Sequence, residues 1–431
     1  MTLGRVWGTI PPMSKRKFQN TLYTNDNLYV LTGMNSETVD LIYLDPPFNT
    51  KRTYSAPIGS KAAGASFKDM WTWKDVDEYH LDTLADKFPT LAQYIANVGA
   101  VHSKAMMAYL TYVSQRIVEI HRILKETGSL YLHCDHTASH YLKHLLDCVF
   151  GKNGFKNEII WSYKRYTAAS KKFQNLHDTV FWFSKTKNYT FNVQRVDYGE
   201  KSGKMDSHYK QDEDGNWFRW QKRRGQEPYK VFLSEGKRLG DVWDIPIINS
   251  SSKERTGYPT QKPLKLLHRI IEASSNVGDL VMDPFCGCAT TCVAAQQLDR
   301  RWIGIDIETN VVDVLVQRLS DDAGLFKDFM ATDQIPQRTD LKVVLRSESV
   351  KQRLYKEQKG KCNACGVDFE IRNLEIDHIV PKIKGGGDYF ENYQLLCGNC
   401  NRIKGDRPME YLRTKIETRE RMMKTQIVFG E

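Results

Sequence analysis

The chain has 431 residues, more than one compact unit usually holds, and its 41% hydrophobic and 26% charged content is ordinary globular usage. That excludes a mainly disordered, collagen-like or coiled-coil protein. No run of about 18 apolar residues occurs and the N-terminal stretch lacks an apolar core, so no membrane span and no secretory signal are expected.

The net charge of +10 is segregated along the chain. Residues 151–260 carry 21 basic and 13 acidic side chains, residues 341–431 carry 18 and 13, and the remainder carries 23 and 26. Two basic blocks around a mildly acidic remainder point to polyanionic partners.

In chain order, Asp40-Leu-Ile-Tyr-Leu-Asp45 reads as a buried strand stopped by Pro46-Pro47. Met107, Leu110, Val113, Ile117, Ile120 and Leu124 form the apolar stripe of a helix over 104–124. Gly128–His133 is a second strand and 138–149 a second amphipathic helix. Residues 151–260 then hold 19 of the 48 aromatic residues among many Lys and Arg, with poor helical periodicity. Trp161, Trp182 and Trp243 fit core positions there. Pro263 opens a helix reaching about residue 275. Strands follow at 279–283 and 301–306, with a small-residue helix between them. Strands alternating with helices predict a parallel α/β sheet.

Two turns at strand ends carry chemistry. In Asp283-Pro-Phe-Cys-Gly-Cys-Ala-Thr-Thr291, small residues let a ligand approach the backbone at the carboxyl end of a strand. Asp306, ending the next strand, can grip ribose hydroxyls. The nearby Cys286, Cys288 and Cys292 have a spacing that suits packing better than metal binding. In Asp45-Pro-Pro-Phe48, a carboxylate and the carbonyl after it can both accept hydrogen bonds from an exocyclic NH₂. The prolines stiffen the turn and remove competing donors, and Phe48 can stack on an extruded base. Either turn alone also fits plain structural punctuation.

Together they resemble the amino-group DNA methyltransferases that use S-adenosylmethionine. The resemblance runs over residues 20–320. It rests on Asp45–Phe48, Asp283–Gly287, Thr260-Gln-Lys-Pro263 and Asp306, with further similarity at 128–135, 157–161, 177–180 and 241–243. It implies that Asp45, Pro46, Pro47 and Phe48 are catalytic. It assigns Asp283, Phe285, Gly287, Asp306, Thr260, Gln261 and Lys262 to the cofactor. The order, catalytic motif first and cofactor motif last, is that of class β, whose target-recognition region lies between them, in the basic block. Lys164, Arg165, Lys171, Lys172, Lys222, Arg223 and Arg224 are the candidate phosphate contacts. Ala289 stands where the family usually has glycine, so a positive φ is not expected there.

At the other end, Cys362-x-x-Cys365 and Cys397-x-x-Cys400 suit a structural tetrahedral Zn²⁺. Between them lie Leu374–Pro381, three glycines at 385–387 and Glu391–Leu396. The pattern resembles the HNH nucleases, with their ββα-metal unit. By that resemblance His378 is the general base, Asp377 and Asn401 ligate a catalytic Mg²⁺ or similar ion, and Asn392 orients the loop and His378. Many members have His where this chain has Asn401.

The expected architecture is a Rossmann-like methyltransferase sheet with an inserted target-recognition region and a small zinc-bound HNH domain. Its expected divisions are 20–150, 151–260, 261–320, a linker at 321–345, and 346–431. The expected function is adenine-N6 methylation of double-stranded DNA by a cytoplasmic restriction–modification protein of bacterial, archaeal or phage origin. Asp, in place of Ser, at the head of the catalytic turn favours adenine over N4-cytosine. A nuclease acting independently of methylation, an inactive zinc-held DNA clamp and a non-catalytic binding protein are the alternatives. Dimerisation is implied by the resemblance alone.

Overall fold

The computed structural model describes residues 20–416 except 51, 58, 64–65, 73–75, 77–83, 85–87, 166–170, 172, 197–208, 233, 235, 322–328 and 341–349. Its centre is a sheet of nine strands: β1 (Thr21–Thr24), β2 (Val39–Leu44), β3 (Leu124–Cys134), β4 (Phe155–Ser162), β5 (His177–Ser184), β6 (Val242–Asp244), β7 (Leu280–Asp283), β8 (Arg301–Asp306) and β9 (Met330–Thr332). Their order across the sheet is β6-β4-β5-β3-β2-β7-β8-β1-β9. β5 runs against its two neighbours, and every other pairing is parallel. β2 and β7 are adjacent, so the turns at Asp45 and Asp283 leave the sheet side by side.

The central strands read as unbroken apolar runs because helices cover both faces. α1 (Asn27–Gly33), α2 (Pro89–Val101), α3 (Lys104–Ile123) and α4 (Ser139–Phe150) lie on one face. α5 (Leu264–Ser274), α6 (Thr290–Gln297) and α7 (Val311–Asp321) lie on the other. Alternate side chains divide between them. Ile42, Leu44, Leu130, Leu132 and Met282 join the first core, while Leu41, Tyr43, Tyr131 and Val281 join the second. A one-residue slip in register would exchange the two sets, and each such side chain is worth about 1.5–3 kcal/mol of burial. The polar trimmings are local. Ser103 caps α3 by accepting the Met106 N–H at 3.2 Å. Arg122, in the last turn of α3, donates to the Leu31 and Met34 carbonyls that end α1.

The block 151–260 lends β4, β5 and β6 to the central sheet, and Trp161, Trp182 and Trp243 are buried in its second core, the positions expected of them. What stands off the sheet is a pairing of 195–196 with 237–238 and a three-stranded antiparallel sheet of 210–211, 217–221 and 229–232. The stretch 321–345, expected as a linker, contains β9, which extends the sheet beyond β1. Residues 333–340 then strap back over α1. Asn35 and Thr339 exchange two hydrogen bonds, and Asp340 accepts the Ser36 N–H. A Cβ on Gly33 would lie 1.9 Å from the Pro336 carbonyl oxygen, so only glycine admits this crossing. A short polar segment with one apolar triplet reads as a linker because a strand at a sheet edge needs only three residues of pairing.

The C-terminal unit is a hairpin, β10 (Leu374–His378) against β11 (Tyr393–Cys397), with α8 (Val350–Glu357) before it and α9 (Gly398–Lys404) after it. Its core is small and includes the thiol-bearing Cys362, Cys397 and Cys400 beside Leu354, Leu374, Leu395, Leu396 and Leu412.

Candidate functional site

The carboxyl ends of β2, β7 and β8 open into a cavity of ≈ 560 Å³. The Asp45–Phe48 turn forms one wall, the Asp283–Cys288 turn and Asp306 another, and Tyr258 and Thr260–Lys262 a third. Residues far apart in sequence thus line one space of the size that takes a small-molecule ligand.

Two acids tie the Asp283–Cys288 turn. Asp283 accepts the Phe285 N–H at 3.0 Å and the Thr291 hydroxyl at 2.5 Å, which fixes the turn into α6. Burial pushes its carboxyl up to about 7, against the lowering effect of those two donors. Asp306 accepts the Gly287 and Glu308 N–H groups at 2.8 and 2.9 Å, and burial pushes it up to about 6. Gly287 has φ +50°, and a Cβ there would meet the Tyr258 ring at 2.9 Å. Asn27 Nδ2 donates to the Pro284 carbonyl and is itself held by the buried Arg116.

Ala289 corrects an expectation. It has φ +57° and ψ +33°, a left-handed residue directly before α6, and it is fully buried. The turn closes with the Ala289 N–H on the Cys286 carbonyl at 2.6 Å, and the left-handed Ala289 then leads the chain directly into α6. Turn geometry outweighs the left-handed penalty of about 1–2 kcal/mol.

The catalytic-turn candidates sit in a dense polar setting. Lys262 crosses the cavity wall and places Nζ 2.5 Å from Asp45 Oδ2, a pairing 217 residues apart in sequence. Asp45 Oδ1 is buried and, among the described residues, has no hydrogen-bond partner. His133 Nδ1 lies 3.6 Å from it, and His133 also contacts Tyr43 and Asp178. Phe48 packs 5.7 Å from the His133 ring. After the turn, Asn49 takes φ +62° because the buried Asp69 accepts the N–H groups of Asn49 and Thr50. Gln261 lines the cavity and also braces the loop before it: it accepts from Thr256 and donates to the Glu254 carbonyl. Thr260 gives its carbonyl to Lys262. Sequence reasoning missed Asp69, His133 as a neighbour of Asp45, and the reach of Lys262. The 128–135 similarity held the one signal that could have found His133.

Of the basic candidates, Lys164, Arg165, Lys171, Lys222, Arg223 and Arg224 are exposed, and Lys172 lies outside the described residues. Lys222, Arg223 and Arg224 form the tip of the hairpin between 217–221 and 229–232, with Arg223 leaning over the Tyr229 ring.

In the C-terminal unit the sulfur atoms of Cys362, Cys365, Cys397 and Cys400 all lie within 4.8 Å of one another. Four thiolates around one Zn²⁺ at about 2.3 Å would stand about 3.8 Å apart, so the set fits a tetrahedral ion. The Cys397 N–H donates to Cys362 Sγ, which favours a thiolate there. His378 Nε2 pairs with Asp388 Oδ1 at 2.8 Å, and Lys382 and Tyr393 share that carboxylate. Asp377 is held by Gln394 and by the buried Lys404 at 3.0 Å. Asn401 donates to Glu375 at 2.6 Å. Asn392 binds the Val380 N–H and carbonyl and the Gly387 carbonyl, tying the loop that follows His378. Asp388 and Glu375 were not among the sequence candidates.

No helix among the described residues is long and apolar enough to cross a membrane. The family model described as DNA methylase matches residues 39–317, and that of HNH endonuclease matches residues 362–407. The type II methyltransferase M.BglII of Bacillus subtilis is 27% identical over 72% of this chain and 72% of its own. DNA adenine methyltransferase YhdJ of Escherichia coli (strain K12) is 28% identical over 69% of this chain and 82% of its own. The solved PvuII DNA methyltransferase (cytosine-N4-specific) aligns with 74% of this chain and 96% of its own at TM-score 0.41 and 15% identity. With two adjacent strand-end turns in one cavity and a family match spanning most of its length, the chain belongs to the DNA methylases of the N6/N4 class and carries a C-terminal HNH domain.

Proposed function

We propose that this DNA methyltransferase transfers a methyl group from S-adenosylmethionine to the exocyclic amino group of adenine in double-stranded DNA. The observation that carries this is Asp45 Oδ1, buried at the cavity wall with no hydrogen-bond partner among the described residues. A buried acceptor without a donor costs about 1–3 kcal/mol, and an amino group seated there would remove that cost. Lys262 holds the other oxygen and keeps the carboxylate from turning to satisfy itself. Pro46 offers a second acceptor, Pro47 stiffens the turn, and Phe48 gives the base a face to stack on.

The acidic wall of Asp283 and Asp306, with the space that Gly287 leaves beside Tyr258, fits a cationic cofactor. Asp283, Phe285 and Gly287 would hold it in the turn, Asp306 would hold its ribose, and Thr260–Lys262 would close over it. When bound, the cofactor supplies an electrophilic methyl carbon. The chain's own residues orient the amino nitrogen toward it and exclude water. The exposed basic residues of 164–171 and 222–224 would meet phosphates. Adenine is favoured over cytosine by Asp at the head of the turn and by the adenine methyltransferase among the relatives. Nucleoside mass spectrometry of DNA treated with the protein tests this: N6-methyladenine is expected, and N4-methylcytosine alone would overturn it.

The HNH domain, clamped by zinc on its four cysteines, would cut DNA with His378 as base, and a divalent ion on Asp377 and Asn401, in a restriction–modification pairing. A second reading has its own support. Lys404 occupies Asp377 and Glu375 occupies Asn401, an arrangement suited to a zinc-held DNA-binding module without a catalytic ion. Relaxation of supercoiled plasmid with Mg²⁺, lost in His378→Ala, supports the nuclease. No relaxation by the wild type supports the second reading.

A further inference from the structure

We propose that His133, backed by Asp178, receives the proton that the target amino nitrogen sheds onto Asp45. The inference rests on the amino-methyltransferase reading above and adds a proton path to it.

His133 sits in β3, fully buried, with Nδ1 3.6 Å from Asp45 Oδ1, the oxygen that no donor among the described residues reaches. Lys262 occupies Oδ2, so a proton arriving on this carboxylate comes to Oδ1. Behind the ring, Nε2 lies 3.3 Å from Asp178 Oδ2. Asp178 is at the start of β5, and because that strand runs antiparallel its first residues stand at the same edge as the ends of β2 and β3. The other Asp178 oxygen accepts the Tyr163 hydroxyl at 3.1 Å. Burial alone would raise the Asp178 carboxyl. The hydrogen bonds from His133 and Tyr163 and the charge of Lys262 work the other way, and the group is held below its usual range.

An ionised Asp178 fixes the tautomer: Nε2 carries the hydrogen, and the Nδ1 lone pair faces Asp45 and Tyr43. Burial, with Asp45, Asp283 and Asp178 nearby, pushes Tyr43 well up, so its hydroxyl keeps its proton and donates to Nδ1 at 2.9 Å. The Trp161 and Phe48 rings also stand against the imidazole.

S-adenosylmethionine, when bound, supplies the methyl carbon, and the electrons of its carbon–sulfur bond return to sulfur. The amino nitrogen, having spent its lone pair on the new carbon bond, holds one proton too many. That proton leaves to Asp45 Oδ1 while the N–H electron pair stays on nitrogen. The Tyr43 hydroxyl turns aside, and the proton passes to the Nδ1 lone pair this frees, imidazole being the stronger base of the two group types. The resulting imidazolium faces the Asp178 carboxylate, and the total charge is conserved. Donor–acceptor distances such as 3.6 Å commonly tighten once substrate is in place.

The test uses the full chain with Asp178→Asn and His133→Gln. ¹⁵N-histidine NMR of the cofactor-free protein is expected to show His133 as the Nε2–H tautomer, with that preference lost in Asp178→Asn. In single-turnover methylation, His133→Gln is expected to lose about 100-fold in rate and Asp178→Asn to lose rate as well, each with KM for DNA unchanged. An Nδ1–H tautomer in the wild type, or the wild-type rate in both variants, overturns the proton path. Absence of any methyl transfer by the wild type overturns the underlying reading instead. Asp178→Asn leaves the imidazole in place, so it remains informative should His133→Gln fail to fold.

Discussion

The cavity at the sheet edge and the HNH unit are held together by different means. Around the cavity, position comes from strand register: Asp45 and Asp283 meet because β2 and β7 pair deep inside two apolar cores. In the HNH unit a two-stranded hairpin and a handful of leucines are too little core for independent stability, and four thiols stand where further apolar side chains would otherwise be needed. The comparison teaches that a large buried sheet can afford an unsatisfied carboxylate oxygen and a left-handed alanine at its working edge. In the small unit, four thiols placed to hold one metal ion would supply the rigidity, and its polar residues pair closely with one another.

The largest expected effect tests that contrast directly. Chelation of zinc, or Cys397→Ser, should remove a binding free energy of about 10–16 kcal/mol from the HNH unit and unfold it. Methylation by the sheet should persist. Calorimetry should show loss of one unfolding transition, and joint loss of both would break the division.

Next comes Asp45→Asn, which keeps shape but exchanges an acceptor for a donor. Methylation should fall about 10²–10³-fold with cofactor affinity retained. Cofactor affinity that falls in parallel would mean that Asp45 holds the cofactor wall instead.

Intermediate in size is a pH effect. Asp283 and Asp306 have folded values of about 7 and about 6 against 3.8 when free. These groups favour the folded protein at low pH, and that contribution is lost as pH rises from about 4 through 7. A cationic cofactor against them favours ionisation, so its binding should release protons and tighten between pH 5.5 and 7.5. Titration calorimetry in two buffers of different ionisation enthalpy reads this, and proton uptake would contradict it. Smallest is Ala289→Gly, expected to stabilise the sheet unit by up to about 1 kcal/mol as the left-handed strain is relieved; a lower Tm would show that the buried methyl group contributes more.

Much was legible in one dimension. The strands at 39–44, 280–283 and 301–306, the helix at 104–123 and the paired cysteines all declare themselves within a dozen residues, through apolar runs, helical spacing and ligand spacing. The edge strand Met330–Thr332 did not, because three residues of pairing leave no periodic trace. Asp69 and Asp388 are single acids in polar stretches, and nothing nearby marks them as braces.

The sequence by itself therefore determined the two turns, the four thiols and the segregation of charge, because each depends on short-range pattern or on composition. Only the tertiary structure decided that Lys262 grips Asp45, that His133 stands behind it with Asp178, and that Ala289 turns left-handed. Those outcomes depend on which strands lie adjacent, and adjacency is set by burial of both sheet faces, summed over residues hundreds of positions apart.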